Sequence, residues 1–483
     1  MVSSCMHYNS KKNLLNIFLF GAAGDLSFKK LIPSFFNLYT LKLFSSDVNI
    51  LCVDIQNYTD QSFKQKIYSN LLSLENVSVE NVDFFLNRIS YIKLDLTDSA
   101  AFKALIPFFN PAVKHINYFS ISPKLYIAAC AGLASNNIIS PLSCLIIEKP
   151  IGQDQISAAN INECVEQHFN PKNIFRIDHY LGKKSVQDLL QLRFSNHPLF
   201  SNWSKQTVEH VQITLAETIG IENRWGYFNV AGQITDMAQN HLLQLLCVVA
   251  MKQVDISDAT SLQAAKSKVL RSLYKINQAN VASSLSTGQY AAGEHQGDYL
   301  RAYLEEAGAT ASSNTETFIA AKALLDNSNW NQVPFYLRTG KRMPVKSSEI
   351  VIVYKKSFTG IKQELREQGY DRLVIKLDDS KCLRWGLADA DFNFAEPQLQ
   401  ALESDVAALD AYESLIMDAI AGKQTWFLSK DEIDLAWAWI DSIKNILITN
   451  NIKPQPYKAG SWGPSSASDI VNNDNNKWSN ITW

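Results

Sequence analysis

The chain is short of several things at once. No apolar run in its 483 residues reaches the roughly 18 residues that a membrane-crossing helix needs, so no spanning segment is expected. Neither sign of charge is in excess: 45 Lys+Arg stand against 47 Asp+Glu, a net charge of −2. That balance argues against nucleic acid as the main partner, while leaving room for a small basic pocket that takes a small phosphorylated ligand. Cysteine is sparse and odd in number, seven in all with no C-x-x-C pair. This speaks against a disulfide framework or a zinc site and for a reducing compartment. There is no internal repeat and no low-complexity linker. The N-terminal "KKNLLNIFLFGAAG" superficially resembles an export signal, but its apolar run flows straight into a glycine turn. A strand explains more of its residues, and the cytoplasm is the expected location.

What is present is enough for two domains, each able to bury its own core. The first third alternates short apolar runs with helical patterns. Strands are expected at 15–20, 48–53, 89–96, 115–121, 144–149 and 173–178, with helical stretches such as "DQSFKQKIYSNLLSL" and "KLYIAACAGLAS" between them. That alternation implies a parallel, doubly wound α/β sheet over residues 1–180. From 181 to 483 the pattern changes. One long helical stretch (231–252) stands among period-2 runs such as "VEHVQITLAET", "EIVIVYKKS" and "RLVIKLDD". This reads as a larger α+β domain with a mostly antiparallel sheet. The polar tail "SSASDIVNNDNNKWSN" reads as loose.

Four motifs carry chemistry. "FLFGAAGDLSFKKL" sets Gly21 and Gly24 between a strand and a helix, where glycines allow a tight turn and close approach to a pyrophosphate. "LIIEKPIG" brings Lys149 out at a strand end, on the edge where parallel sheets bind ligands, with Pro150 restricting its backbone. "FRIDHYLGKK" packs Arg176, Asp178, His179, Tyr180 and Lys183 into eight residues, a density of cations and hydroxyls suited to a sugar phosphate. A metal reading is poor there, because the histidine has no second ligand four residues on. "TDMAQNHLLQLL" carries Asp236, Asn240 and His241 on one helix. A dehydrogenase needs a base that titrates near neutrality beside a carboxylate, and Asp178 is a candidate partner for His241.

These motifs, together with "TETFIA", "VPFYLRTGKR" and "YKAGSWGP", stand in the order seen in glucose 6-phosphate dehydrogenases, and the chain resembles that family from about residue 15 to 466. The resemblance implies a Rossmann-like coenzyme domain joined to a β+α domain whose sheet forms the interface of a homodimer or a dimer of dimers. It implies oxidation of the C1 hydroxyl of glucose 6-phosphate to 6-phosphogluconolactone, the first step of the pentose phosphate pathway. His241 would be the base and Asp178 its stabiliser. His179, Tyr180 and Lys183 would hold the phosphate; Lys149, Glu217, Asp236 and Lys341 would bind the sugar. Gly21, Gly24, Asp25, Leu26, Lys30, Asp54 and Lys149 would face NAD or NADP, with no metal, nucleic acid or membrane involved.

The chain departs from the family where the second strand ends. Typical members place a small residue and then an arginine there, to pair with the 2′-phosphate of NADP. Here the positions read Asp54 and Ile55. A carboxylate accepts hydrogen bonds from a free ribose hydroxyl and repels a phosphate, so NAD is expected to be favoured. Ser27, Phe28, Ser122 and Lys184 are smaller departures. The competing expectations are an oxidoreductase of another sugar, for which the phosphate motif would be superfluous, and an inactive sugar-phosphate sensor, for which the intact Asp178, Lys183 and His241 would be.

Overall fold

The computed structural model describes residues 14–44, 48–310, 312–377, 383–395, 400–401 and 409–481. They form two compact units: Met1–Gly152 with Ala159–His179 and Leu409–Phe427, and Gln153–Ala158 with Tyr180–Ala408 and Leu428–Trp483.

The first unit is built on six parallel strands: β1 (Leu15–Phe20), β2 (Val48–Asp54), β3 (Ile89–Lys93), β4 (Lys114–Phe119), β5 (Ser143–Glu148) and β6 (Ile174–Ile177). Their order is β3-β2-β1-β4-β5-β6, the doubly wound arrangement with its switch point between β1 and β4. Every residue of β1 is buried, as a strand covered on both faces requires, which is why "LNIFLF" shows no alternation. Helices flank the sheet. The one at Asp60–Leu72 is started by a capping box in which Thr59 and Ser62 satisfy each other's amides. One piece of the unit comes from far along the chain, so the division at residue 180 misplaces it. The helix Ala411–Ala421, capped by Asp410 and Glu413 and closed by left-handed Gly422, puts Tyr412, Leu415, Ile416 and Ala419 into the same apolar core as Ile17, Leu19 and Phe35.

The second unit adds β7 (Val208–Ala216), β8 (Leu285–Ala291), a small hairpin of β9 (Gly293–His295) and β10 (Asp298–Leu300), β11 (Phe318–Ala323), β12 (Phe335–Gly340), β13 (Ser347–Tyr354), β14 (Arg372–Lys376), β15 (Arg384–Ala388), β16 (Gln400–Ala401) and β17 (Gln455–Lys458). Nine of them make one sheet in the order β16-β15-β14-β13-β7-β12-β11-β8-β17. Its pairings are mostly antiparallel, with β7–β12 and β8–β17 running parallel.

Two expectations for this unit are corrected. The stretch 231–252 is not one helix. A helix Trp225–Gln233 is broken at Gly232 (φ 67°, ψ 173°), a π-type turn Ile234–Leu242 follows, and an α-helix Leu243–Ala250 completes the run. Nor is the described part of the tail loose. Ser465–Asn472 is helical, and the chain then packs beside the sheet. The indole of Trp478 donates to the carbonyl of Ala467 at 2.7 Å. The fully buried Arg338 of β12 donates to the carbonyl of Ser479 at 2.6 Å and to Asn480 at 3.0 Å. Its guanidinium lies 4.4 Å from the Trp478 ring and 4.5 Å from that of Trp462. Polar composition concealed this, because the tail's tryptophan, the Ser479 carbonyl and the Asn480 side chain satisfy a buried cation. Trp478→Ala is expected to destabilise the protein by roughly 3 kcal/mol, through the cavity and the lost cation–ring contact. Urea unfolding checks this, and a variant as stable as the parent would restore the loose-tail reading.

Candidate functional site

The carboxyl edge of the first sheet collects the first group of predicted residues. Gly21 follows β1 with φ 78°, and a Cβ there would stand 2.1 Å from the Ser120 carbonyl oxygen, beyond the end of β4. Only glycine permits that approach. The turn consumes its own early amides: Gly21 and Ala22 donate to Val53 O (2.9 and 3.2 Å) and Gly24 to Gly21 O (3.1 Å). Ser27, buried, donates to Gly21 O at 2.8 Å. The helix that follows starts at Asp25, so the Asp25, Leu26 and Ser27 amides are among the first-turn donors that a helix leaves unused. Such donors, backed by the helix dipole, fit an anionic pyrophosphate. Asp25 is exposed and pairs with Lys29 at 3.0 Å; Lys30 is exposed on the same turn.

Asp54, at the end of β2, is half-buried. Its Oδ2 accepts from the Ala23 amide at 3.0 Å and its Oδ1 from the Gln56 amide at 3.0 Å. It therefore braces the glycine turn, which the sequence pattern did not suggest. Ile55 beside it is exposed.

Lys149 leaves β5 half-buried, joined to Pro150 by a cis peptide bond. Its neighbour Glu148 is buried and accepts from Tyr118 Oη at 2.5 Å. Burial, with Asp178 adding to it, pushes the Glu148 carboxyl up to about 7, against the Tyr118 hydrogen bond and the Lys149 charge. Asp178 lies one residue past β6 and is wholly buried. His179, half-buried, stacks nearly parallel to the Tyr412 ring, centroids 6.0 Å apart. Arg176, counted by its spacing with the cationic cluster, faces elsewhere: it is buried, bonded to Asn162 (2.8 Å) and Glu166 (3.0 Å).

The second unit brings together the rest. Tyr180 packs its ring against that of His241, centroids 4.3 Å apart, and Lys183 places its ammonium 4.2 Å from the Tyr180 ring. His241 and Asp236 are both buried in the π-type turn. They are five residues apart. In an α-helix that spacing leaves them about 140° apart round the axis, whereas π winding, with its i→i+5 hydrogen bonds, draws such a pair towards one face. Tyr227 donates to Asp236 Oδ1 at 3.2 Å. Glu217 and Lys341 follow the ends of the parallel pair β7 and β12, whose last residues are in register. They form an ion pair of 2.8 Å with the lysine almost fully buried.

Glu148 was passed over beside Lys149, and Glu316, which bonds the Ile234 amide at 3.0 Å, was passed over in "TETFIA". A carboxylate preceding a strand-end lysine was the available signal for the first; nothing local marked the second.

Raising the Glu148 pKa from 4.5 to about 7 means that the folded state prefers the neutral acid. Its contribution is whole below the unfolded value and is lost as pH rises through about 7, by roughly 3 kcal/mol. Glu148→Gln should flatten that part of the stability–pH curve in urea unfolding between about pH 5 and pH 8. An unchanged slope would show that the acid is ionised throughout.

Comparison with known proteins places these features in a family. The family model for the glucose-6-phosphate dehydrogenase NAD binding domain matches residues 18–188, and that for the glucose-6-phosphate dehydrogenase C-terminal domain matches residues 190–479. Among curated relatives, the glucose-6-phosphate 1-dehydrogenase of Dickeya dadantii (strain 3937) is 36% identical over 493 residues, covering 99% of this chain and all of the relative. That of Zymomonas mobilis is 36% identical over 476 residues, covering 95% of this chain and 98% of the relative. The crystal structure of glucose-6-phosphate 1-dehydrogenase from Mycobacterium avium superposes with TM-score 0.82 at 25% identity, covering 98% and 99% of the two chains. A glucose-6-phosphate dehydrogenase in complex with its substrate glucose-6-phosphate gives TM-score 0.82 at 27% identity, covering 97% and 99%.

Proposed function

The chain belongs to the glucose-6-phosphate dehydrogenase family, and we propose that it oxidises glucose 6-phosphate with His241 as the base. It is an NAD(P)-dependent oxidoreductase acting on the CH–OH group of a sugar phosphate, at the entry to the pentose phosphate pathway. The observation that carries the residue assignment is the buried His241 imidazole against the Tyr180 ring, two positions along the chain from Asp178.

His241 takes the proton of the C1 hydroxyl as that carbon gives up its hydride and its C–O bond becomes a carbonyl. The imidazolium so formed is stabilised by the carboxylate of Asp178, and its burial strengthens that attraction. His179, Tyr180 and Lys183 bind the phosphate, two of them as charge or hydrogen-bond donors on one short helix. Glu217, Asp236, Lys149 and Lys341 orient the sugar hydroxyls, and the Glu217–Lys341 pair keeps both polar groups fixed before substrate arrives. The glycine turn, with Asp25, Leu26 and Lys30, holds the dinucleotide, which when bound accepts the hydride. Asp54 selects NAD over NADP: its carboxylate is fixed by two amides and stands where a 2′-phosphate would meet like charge. The enzyme works in the cytoplasm as a homodimer or dimer of dimers.

His241→Asn is expected to lower kcat by about 10²- to 10⁴-fold while glucose 6-phosphate still binds. Turnover at the parent rate would remove His241 from the mechanism. For the coenzyme, the ratio of kcat/KM for NAD over NADP should favour NAD. Asp54→Ala with Ile55→Arg should move that ratio towards NADP by about tenfold or more, the worth of a hydrogen bond to a charged group. A parent that prefers NADP would overturn the selector assignment.

A further inference from the structure

Between Trp225–Gln233 and Ile234–Leu242 the chain turns sharply at Gly232, and a residue from far along the chain fills the break. Glu316, two residues before β11, reaches into the break. Its carbonyl accepts from the Gln233 amide at 3.0 Å and its carboxylate Oε1 from the Ile234 amide at 3.0 Å. A Cβ on Gly232 would stand 2.1 Å from that same Oε1 and 2.7 Å from Cδ. The glycine is thus required twice, for its positive φ and for the room the carboxylate occupies. The next residue, Thr317, accepts the Lys341 amide at 3.0 Å, and the Gln233 side chain donates to Thr339 at 2.8 Å. One dipeptide therefore ties the start of the His241 turn to the strand end that carries Lys341.

We propose that Glu316 is a positioning residue for the reaction: its carbonyl and carboxylate hold two successive amides, and so set where the turn bearing Asp236 and His241 begins. This rests on the assignment of His241 as base. The requirement is for an acceptor at glutamate's reach rather than for charge. A carboxylate at a helix start satisfies first-turn amides that would otherwise be unmet, and a side-chain amide oxygen of equal length can do the same. A displacement of the base by about 1 Å costs up to about 100-fold in rate. Burial pushes the Glu316 carboxyl up to about 7, against its hydrogen bonds from the Ile234 and Glu316 amides and the charge of Lys444. Tyr303 also feels its charge.

The test is steady-state kinetics of the full chain with glucose 6-phosphate and NAD across about pH 6 to pH 9, for Glu316→Gln, Glu316→Asp and Glu316→Ala. Aspartate keeps the charge but is one methylene short; glutamine keeps the reach and loses the charge. The Asp and Ala variants are expected to lose roughly 10- to 100-fold in kcat, with the acid limb of kcat/KM displaced as the surroundings of His241 change. The Gln variant should keep most of kcat and the parent's limb. A merely structural role would lower stability without moving the limb. The proposal is overturned if Asp and Ala retain the parent's kcat and limb, or if Gln is as impaired as Ala. Should the Ala chain fail to fold, the contrast between Gln and Asp decides. Failure of the underlying reading is separate: His241→Asn with full turnover removes the base, whereas an inactive His241→Asn beside an unaffected Glu316 series removes only the positioning role.

Discussion

Parallel strand pairing is the constraint on which the chemistry of both units depends. Two strands that run the same way finish at the same edge, so residues just past their ends become neighbours whatever their distance in sequence. In the first unit this gathers Gly21, Asp54, Lys149 and Asp178 at one edge of a sheet with no antiparallel strand. In the second, one of the two parallel pairs within a mostly antiparallel sheet does the same: β7 beside β12 sets Glu217 next to Lys341. Had β12 run antiparallel, the carboxyl end of β7 would face its amino end, and the ion pair could not form.

Holding ionisable groups at such edges under cover is unfavourable unless each is given partners. The structure meets this cost differently from group to group. Lys341 has a carboxylate at ion-pair distance, as does the deeply buried Lys266 in its pair with Glu432 at 2.8 Å. Asp54 and Glu316 are held instead by backbone amides, which carry no compensating charge but cannot swing away. Glu148 has one phenol and a pKa pushed up to about 7. Groups anchored to main chain are the most firmly placed of these, since freeing one from its backbone donor would mean moving a strand or a turn.

How far the sequence revealed this differs by region, for physical reasons. The central strands β1 and β5 were legible because burial on both faces demands largely apolar runs, and the glycine turn because few residues other than glycine tolerate φ 78° at Gly21. The break at Gly232 was not: the apolar periodicity of 231–252 continues through it, and the carboxylate that caps the Ile234 amide just after it lies 82 residues away in the chain. The helix Ala411–Ala421 looks like any amphipathic helix of the second unit, and only its packing with Ile17 and Leu19 assigns it to the first. The tail was misread because its stabilising partner, the buried guanidinium of Arg338, lies in a strand some 140 residues upstream. Spacing shows which residues a local element can present. It does not show which distant backbone group will claim them.

If Asp54 selects the coenzyme as proposed, it carries two demands at once. Its carboxylate holds the amide of Ala23 in the glycine turn and that of Gln56 after the strand. Each oxygen has accepting capacity left beyond one bond. An acceptor already fixed by two amides loses little further freedom on receiving a ribose hydroxyl, so more of that hydrogen bond appears as affinity. The same fixity works against a phosphate. A mobile carboxylate could swing aside, but this one would have to release the turn first, and like charges about 4 Å apart repel by up to about 4 kcal/mol near a protein surface. On the proposed role of Asp54 as selector, coenzyme choice and the stability of the turn are coupled through one side chain, and a chain that exchanged this acid for a neutral residue would have to rebuild the support of Ala23 as well as supply a cation.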